Sequence, residues 1–209
     1  GIDKKAYPGC QIVVLKDGQI VYEKAFGTHT YESGQKVRLE DLYDLASLTK
    51  TTATLLAIMK LYDKGKISVT DKASSYLDYL KGTNKSNITI KDLLFHESGL
   101  PASINFYLEA VDQESYEGHL ISSRRDALHK VQVGANSWAN PNFSYLDGLT
   151  SPVKTEKHTW QVSQNLWIDP AFRQKYHEKI VAAPLRAKRY LYSDLNFILL
   201  QEIVEKITG

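Results

Sequence analysis

Apolar residues cluster over positions 11–15 (Gln-Ile-Val-Val-Leu) and 20–26 (Ile-Val-Tyr-Glu-Lys-Ala-Phe), and Lys16-Asp17-Gly18-Gln19 between them carries the Asp-Gly pair of a tight hairpin turn. The pattern predicts two antiparallel strands, Ile12 to Leu15 and Ile20 to Phe26. Residues 28–42 are polar and read as a loop returning toward the sheet before the short apolar group Leu42, Tyr43 and Leu45. From Ser47 the period changes: Leu48, Thr52, Leu55, Met59 and Tyr62 recur at three and four, with Leu56 and Ile58 widening the stripe. This spacing predicts a buried helix of about four turns, stopped at Lys64-Gly65. A second helix is expected from Thr89, capped by that hydroxyl with Asp92 reaching back, and ending at His96-Glu97-Ser98-Gly99. Residues 102–190, which hold Trp138, Trp160 and Trp167, have irregular apolar spacing and are expected to form short helices and long loops. A last helix is expected from Ser193 as cap, apolar at Leu200, Ile203, Val204 and Ile207, and stopping at Gly209. No internal repeat is expected.

Composition narrows the partners. The 209 residues are 43% hydrophobic and 24% charged, a globular profile that excludes collagen, coiled coil and low-complexity linker. The length suits one large or two small domains that need no metal or disulfide staple. A net charge of +2 gives no field to hold a polyanion, so nucleic acid is not an expected partner. The basic run at 171–190 reads as a solvated face. Cys10 stands alone and the six histidines lack zinc spacing, so neither a structural metal nor a cofactor is expected. The apolar stretches fall far short of the roughly 20 residues of a membrane span. The opening Gly-Ile-Asp reads as the start of a mature or excised piece.

The chemistry candidate is Ser47-Leu48-Thr49-Lys50, whose spacing puts a hydroxyl and an amine one helical turn apart. A serine needs a base within hydrogen-bond reach, and a lysine serves only if burial or the helix dipole weakens its hold on the proton. Two other pairs share the spacing. Ser33/Lys36 sits in a polar loop, and Ser151/Lys154 is broken by Pro152. The ordinary alternative is Ser47 as a helix cap with Lys50 in solvent. A second proton carrier could come from Tyr192-Ser193-Asp194, although Tyr76-Leu77-Asp78 and Tyr145-Leu146-Asp147 share its pattern and spacing does not choose among them.

Resemblance does choose. The run Pro8 to Gly18, then Ala25-Phe26-Gly27 and Leu45 to Thr51, resembles the opening of the class C β-lactamase and penicillin-binding-protein-like serine hydrolases. His96-Glu97-Ser98-Gly99-Leu100-Pro101 is similar to the family's His-Thr-Ser-Gly-Leu-Pro segment. Tyr192-Ser193-Asp194 falls where the family carries Tyr-x-Asn, before a helix ending Glu-Lys-x-Thr-Gly as Glu205 to Gly209 does. The resemblance implies an α/β (α+β) fold of the β-lactamase/transpeptidase type, mostly helical here, with an N-terminal antiparallel hairpin. It implies Ser47 as acylated nucleophile, Lys50 as its base, Tyr192 as proton shuttle, and Asp194 in the place of an asparagine that positions Lys50 and substrate. A carboxylate there favours charged Lys50.

The implied activity is acyl transfer or hydrolysis on an ester, amide or peptidoglycan-type peptide. The alternative is a non-catalytic binding module that keeps the fold. No Lys-Thr-Gly occurs in the chain. The family's third element and its remaining strands follow the last helix, so residues 1–209 are expected to be one domain truncated at its C-terminus. Further implications are an extracytoplasmic location, periplasmic or secreted, fusion to another catalytic domain such as a glycosidase, and self-association through an exposed sheet edge.

Overall fold

The Asp-Gly turn closes as its sequence demands: Asp17 and Gly18 both take positive φ, 51° and 77°, the left-handed pair whose twist matches a two-stranded ribbon. Strands β1 (Gly9–Lys16) and β2 (Gln19–Gly27) pair antiparallel, Gly9 opposite Gly27, with an irregularity at Val14/Leu15. The loop that follows does return to the hairpin. Thr28 bridges Lys36, the Val37 amide donates to the Gly27 carbonyl (3.1 Å), and Gln11 Nε2 donates to the Asp41 carbonyl (3.0 Å). This is the first of two compact units in the computed structural model, Gly1–Thr49 and Lys50–Gly209. The structure describes residues 1–134 and 136–209.

The second unit opens with a π-turn, Lys50–Thr54, that runs into α1 (Leu55–Asp63). Ile58 and Leu61 are buried, whereas Leu56, Met59 and Tyr62 are each more than half exposed. The expected buried helix is therefore buried on one face only. Helix α2 (Ile90–Leu94) has the predicted capping box, with the Asp92 amide donating to Thr89 Oγ1 (3.1 Å) and the Thr89 amide to Asp92 Oδ2 (2.8 Å). Helix α3 covers Phe172–Ala182, and α4 covers Asp194–Thr208. Helix α4 is the axis of the core: Leu195, Leu199, Leu200 and Ile203 are fully buried among Ile58, Leu80, Ile90, Leu93 and Ile180. Fully buried Lys85 caps the end of α3, donating to the carbonyls of Val181 (2.8 Å) and Ala183 (2.7 Å) and to Asn84 Oδ1 (2.9 Å).

Residues 102–190 correct the sequence reading twice. In place of helices and loops alone, they form two three-stranded antiparallel sheets. One has β3 (Ile121–Ser122), β4 (Val131–Gly134) and β5 (Ser137–Ala139) in the order β3-β5-β4. The other has β6 (Thr150–Ser151), β7 (Trp160–Ser163) and β8 (Leu166–Ile168) in the order β6-β8-β7. Strands of two to four residues are too short for periodicity to register.

The sheets are also copies of one another. Leu120/Leu149, Ser122/Ser151, His129/His158, Gln132/Gln161, Val133/Val162, Asn136/Asn165, Trp138/Trp167 and Pro141/Pro170 are identical pairs, each 29 positions apart. Their bonds repeat at the same spacing. His129 Nε2 contacts the His119 carbonyl (2.7 Å) as His158 Nε2 contacts that of Gly148 (3.0 Å). His129 Nδ1 meets Asp126 (2.8 Å) as His158 Nδ1 meets Thr155 Oγ1 (2.9 Å), and the edge strands β4 and β7 carry the same bulge, at Gln132/Gly134 and Gln161/Ser163. The Asn140 amide donates to the Leu120 carbonyl as the Asp169 amide does to that of Leu149. Residues 120–141 and 149–170 are thus an internal repeat. Ala135 in the first copy lies outside the described residues.

The basic run at 171–190 is more engaged than a solvated face. Arg173 pairs with Glu205 (3.5 Å), Lys179 with Glu109 (2.8 Å) and Lys188 with Asp92 (2.6 Å), tying the segment to acidic side chains that lie far off in sequence.

Candidate active site

Ser47 belongs to the first unit and ends a tight turn in which the Leu48 amide donates to the Leu45 carbonyl (2.8 Å) and the Thr49 amide to that of Ala46 (3.1 Å). Ala46 holds φ at +43°, a left-handed conformation that costs a residue with a Cβ about 1–2 kcal/mol.

The second unit brings Lys50, Tyr192 and Asp194 together. Lys50 lies in the π-turn with its side chain only 16% exposed, and its ammonium donates to Asp194 Oδ1 at 2.7 Å. The same nitrogen lies 5.1 Å from the Tyr192 ring centroid. Asp194 is the first residue of α4, and its amide donates to the Ala102 carbonyl (2.9 Å). Burial alone would push the Lys50 pKa down. The bonds to Asp194 and to the Tyr192 hydroxyl outweigh it and hold the pKa above its ordinary value. The weakening of its hold on the proton that burial would give is therefore outweighed. The carboxylate at 194 decides the matter, as its chemistry foretold.

The other sequence candidates go elsewhere. The Tyr76 hydroxyl donates to Asp71 (2.6 Å), Tyr145 packs edge-on against Phe143, and Ser151 lies in β6 with its hydroxyl on the Val153 carbonyl. Ser193, expected as the cap of α4, instead donates its hydroxyl to the Pro101 carbonyl (2.7 Å), and no side-chain cap bond forms.

What sequence reasoning missed is how the segment 96–102 grips the tyrosine. The Leu191 amide donates to the His96 carbonyl (2.8 Å), and the Ser193 amide donates to His96 Nδ1 (3.1 Å). Asn196 Nδ2 also approaches Nδ1 (3.2 Å), while Asn196 Oδ1 accepts the Ser98 hydroxyl (2.6 Å). The imidazole packs against the Tyr192 ring at 4.6 Å between centroids. Gly99 lets the same segment close on Arg186, whose amide donates to the Gly99 carbonyl (2.9 Å): at φ +83° a Cβ there would lie 2.2 Å from the Arg186 carbonyl oxygen. The available signal was the His-x-Ser-Gly-Leu-Pro run, which carries no role in spacing alone.

The family model described as Beta-lactamase matches residues 1–209. This chain belongs to the β-lactamase family. Among curated relatives, it is 31% identical to an N-acetylmuramyl-L-alanine amidase of Bacillus subtilis (strain 168), an alignment covering 91% of this chain and 44% of that protein. It is 37% identical to a putative D-alanyl-D-alanine carboxypeptidase of Escherichia coli (strain K12) over 50% of this chain and 27% of the relative. The chain therefore spans less than half the length of these relatives. Among solved structures, the octameric penicillin-binding protein homologue from Pyrococcus abyssi superposes over the whole chain and 37% of its own, with TM-score 0.59 and 23% identity. A class C β-lactamase does so over the whole chain and 41% of its own, with TM-score 0.58 and 17% identity. These likenesses show the β-lactamase/transpeptidase-like fold. No helix among the described residues is long and apolar enough to cross a membrane.

Proposed function

We propose that the protein containing this chain is a serine hydrolase or acyl-transferase that works outside the cytoplasm on amide, ester or peptide bonds of peptidoglycan type, through an acyl-enzyme on Ser47. The observation that supports it best is the convergence of Lys50, Tyr192 and Asp194 in the second unit. In this reading the Ser47 oxygen attacks the carbonyl carbon and its proton passes to the Tyr192 oxygen. Collapse of the tetrahedral adduct breaks the bond to the leaving group, which takes that proton; water then cleaves the acyl-serine by the same route. Lys50, kept cationic by Asp194, stabilises negative charge on the phenolic oxygen, so the base role that resemblance assigns to Lys50 passes to Tyr192. No cofactor is needed. The amidase and carboxypeptidase relatives favour a cell-wall peptide over a dedicated lactam substrate.

A fluorescent penicillin or a fluorophosphonate should label the full-length protein, and Ser47→Ala should abolish the label. Labelling that survives the substitution removes Ser47 from the mechanism. The rival reading, a binding module without turnover, predicts no covalent label on the wild type.

A further inference from the structure

His96 holds φ at +56°, a conformation that ordinary side chains avoid, and it stands beside the proposed site. Its partners explain the strain. The carbonyl of His96 takes the amide of Leu191 and its ring takes the amide of Ser193, so one residue grips both neighbours of Tyr192. The ring then lies against the Tyr192 phenol itself.

The network also fixes where the imidazole proton sits. Ser98 donates its hydroxyl to Asn196 Oδ1 and accepts the Leu100 amide (3.2 Å), which orients the buried Asn196 amide with Nδ2 toward His96. Two donors, the Ser193 amide and Asn196 Nδ2, thus point at Nδ1, which must offer its lone pair; the proton belongs on Nε2. A second proton on the ring would set N–H against N–H at a buried amide.

We propose that His96 is a positioning residue for the acyl-transfer reaction, setting the Tyr192 phenol from both flanks, and that protonation of Nδ1 releases it. The inference rests on the reading of Tyr192 as proton carrier. The charged and titratable groups facing the ring are Lys50 from the π-turn, Asp194 from α4, and Tyr190 and Tyr192 from the segment between α3 and α4. Burial and the nearby Lys50 charge lower the His96 pKa, against an opposing pull from Asp194, which keeps the clamp engaged at neutral pH.

The test compares His96→Ala and His96→Asn in the full-length protein. Asparagine keeps an acceptor near the position of Nδ1, tolerates positive φ and does not titrate. His96→Ala should slow acylation by a β-lactam probe at saturation about 10²-fold, the scale of a small misplacement at a reacting group, with little change in half-saturation. His96→Asn should recover most of that loss at pH 7 and lack the acid-side fall of the wild type. A His96→Ala rate equal to wild type overturns the proposal, as does an acid limb that persists in His96→Asn. A second readout is independent of activity. In protein labelled with 15N-histidine, the His96 Nδ1 resonance should be that of an unprotonated nitrogen at pH 7. A protonated Nδ1 there overturns the clamp. If the wild type fails to label on Ser47, the acyl-enzyme reading falls, and the nitrogen shift alone decides whether His96 grips the segment.

Discussion

One carboxylate sets the protonation of the candidate site. Asp194 stands 2.7 Å from the Lys50 ammonium, and its bond, with that of Tyr192, overrides the burial that would otherwise free the proton. In Asp194→Asn, the position takes the residue that the resembled family carries. Removing the carboxylate moves the Lys50 pKa downward. If Lys50 acts as a cation supporting Tyr192, the alkaline fall in acylation rate shifts to lower pH. A neutral-lysine base would instead make the variant faster at neutral pH. The expected outcome is the first, and a pH-rate profile of penicillin acylation for the two proteins distinguishes them.

Among the elements, the 29-residue repeat supplies its own control. In the first copy, both ring nitrogens of His129 face oxygen acceptors. The bond to Asp126, then that to the His119 carbonyl, holds its pKa above 6.5. Its contribution is present in full below 6.5 and is lost as pH rises through the folded value. The Asp126 pKa is held below 3.8 by bonds from His129, so that share is present above 3.8 and is lost as pH falls through the folded value. Asp126→Thr converts the first turn into the second, where Thr155 Oγ1 accepts the His158 amide (3.0 Å). The gap in urea midpoint between wild type and variant should be widest near pH 5, as both windows require, and should shrink toward both ends.

A second junction lies between α3, α4 and the short turn Asp78–Leu80. Buried Glu202 of α4 accepts the hydroxyls of Tyr79 (2.6 Å) and Tyr176 and meets His177 Nε2 (2.8 Å). Burial and this carboxylate push both phenols up. Glu202→Gln keeps the shape but turns an acceptor into a donor, and should cost about 1–3 kcal/mol in urea unfolding.

For the whole molecule, the decisive observation is coverage: the chain accounts for 44% of its amidase relative and 37% of the solved penicillin-binding protein homologue. An acyl-transfer site needs preorganised donors at the developing oxyanion, and losing one typically costs ~10²–10³ in rate. The resemblance to the class C β-lactamase and penicillin-binding-protein-like hydrolases implies the Ser47 amide as one donor and the Lys-Thr-Gly strand as the other, and no Lys-Thr-Gly occurs in these 209 residues. These 209 residues assayed by themselves are therefore expected to turn over an ester about 10²–10³-fold more slowly than a relative that carries the motif. Equal turnover in both would place the whole oxyanion hole within these residues.

The sequence by itself determined what local geometry controls. Asp17-Gly18 permits few turns other than the one observed, Thr89 with Asp92 encodes its own cap, and of the stripe read at Leu200, Ile203, Val204 and Ile207 the first two are fully buried in α4 while the last two are partly buried. It also placed Lys50, Tyr192 and Asp194 as candidates, because resemblance ranks positions that spacing leaves equal. Tertiary structure alone brought the Asp194 carboxylate, 144 residues away in the chain, onto the Lys50 ammonium. The repeat was legible in the sequence as eight identities at 29-residue spacing; strands of two to four residues give no hydrophobic period to draw attention to it, and the recurring bonds made it plain. Tertiary structure alone assigned His96 its grip on Tyr192, because a side chain that accepts two amide donors from another segment leaves no trace in the order of residues around it.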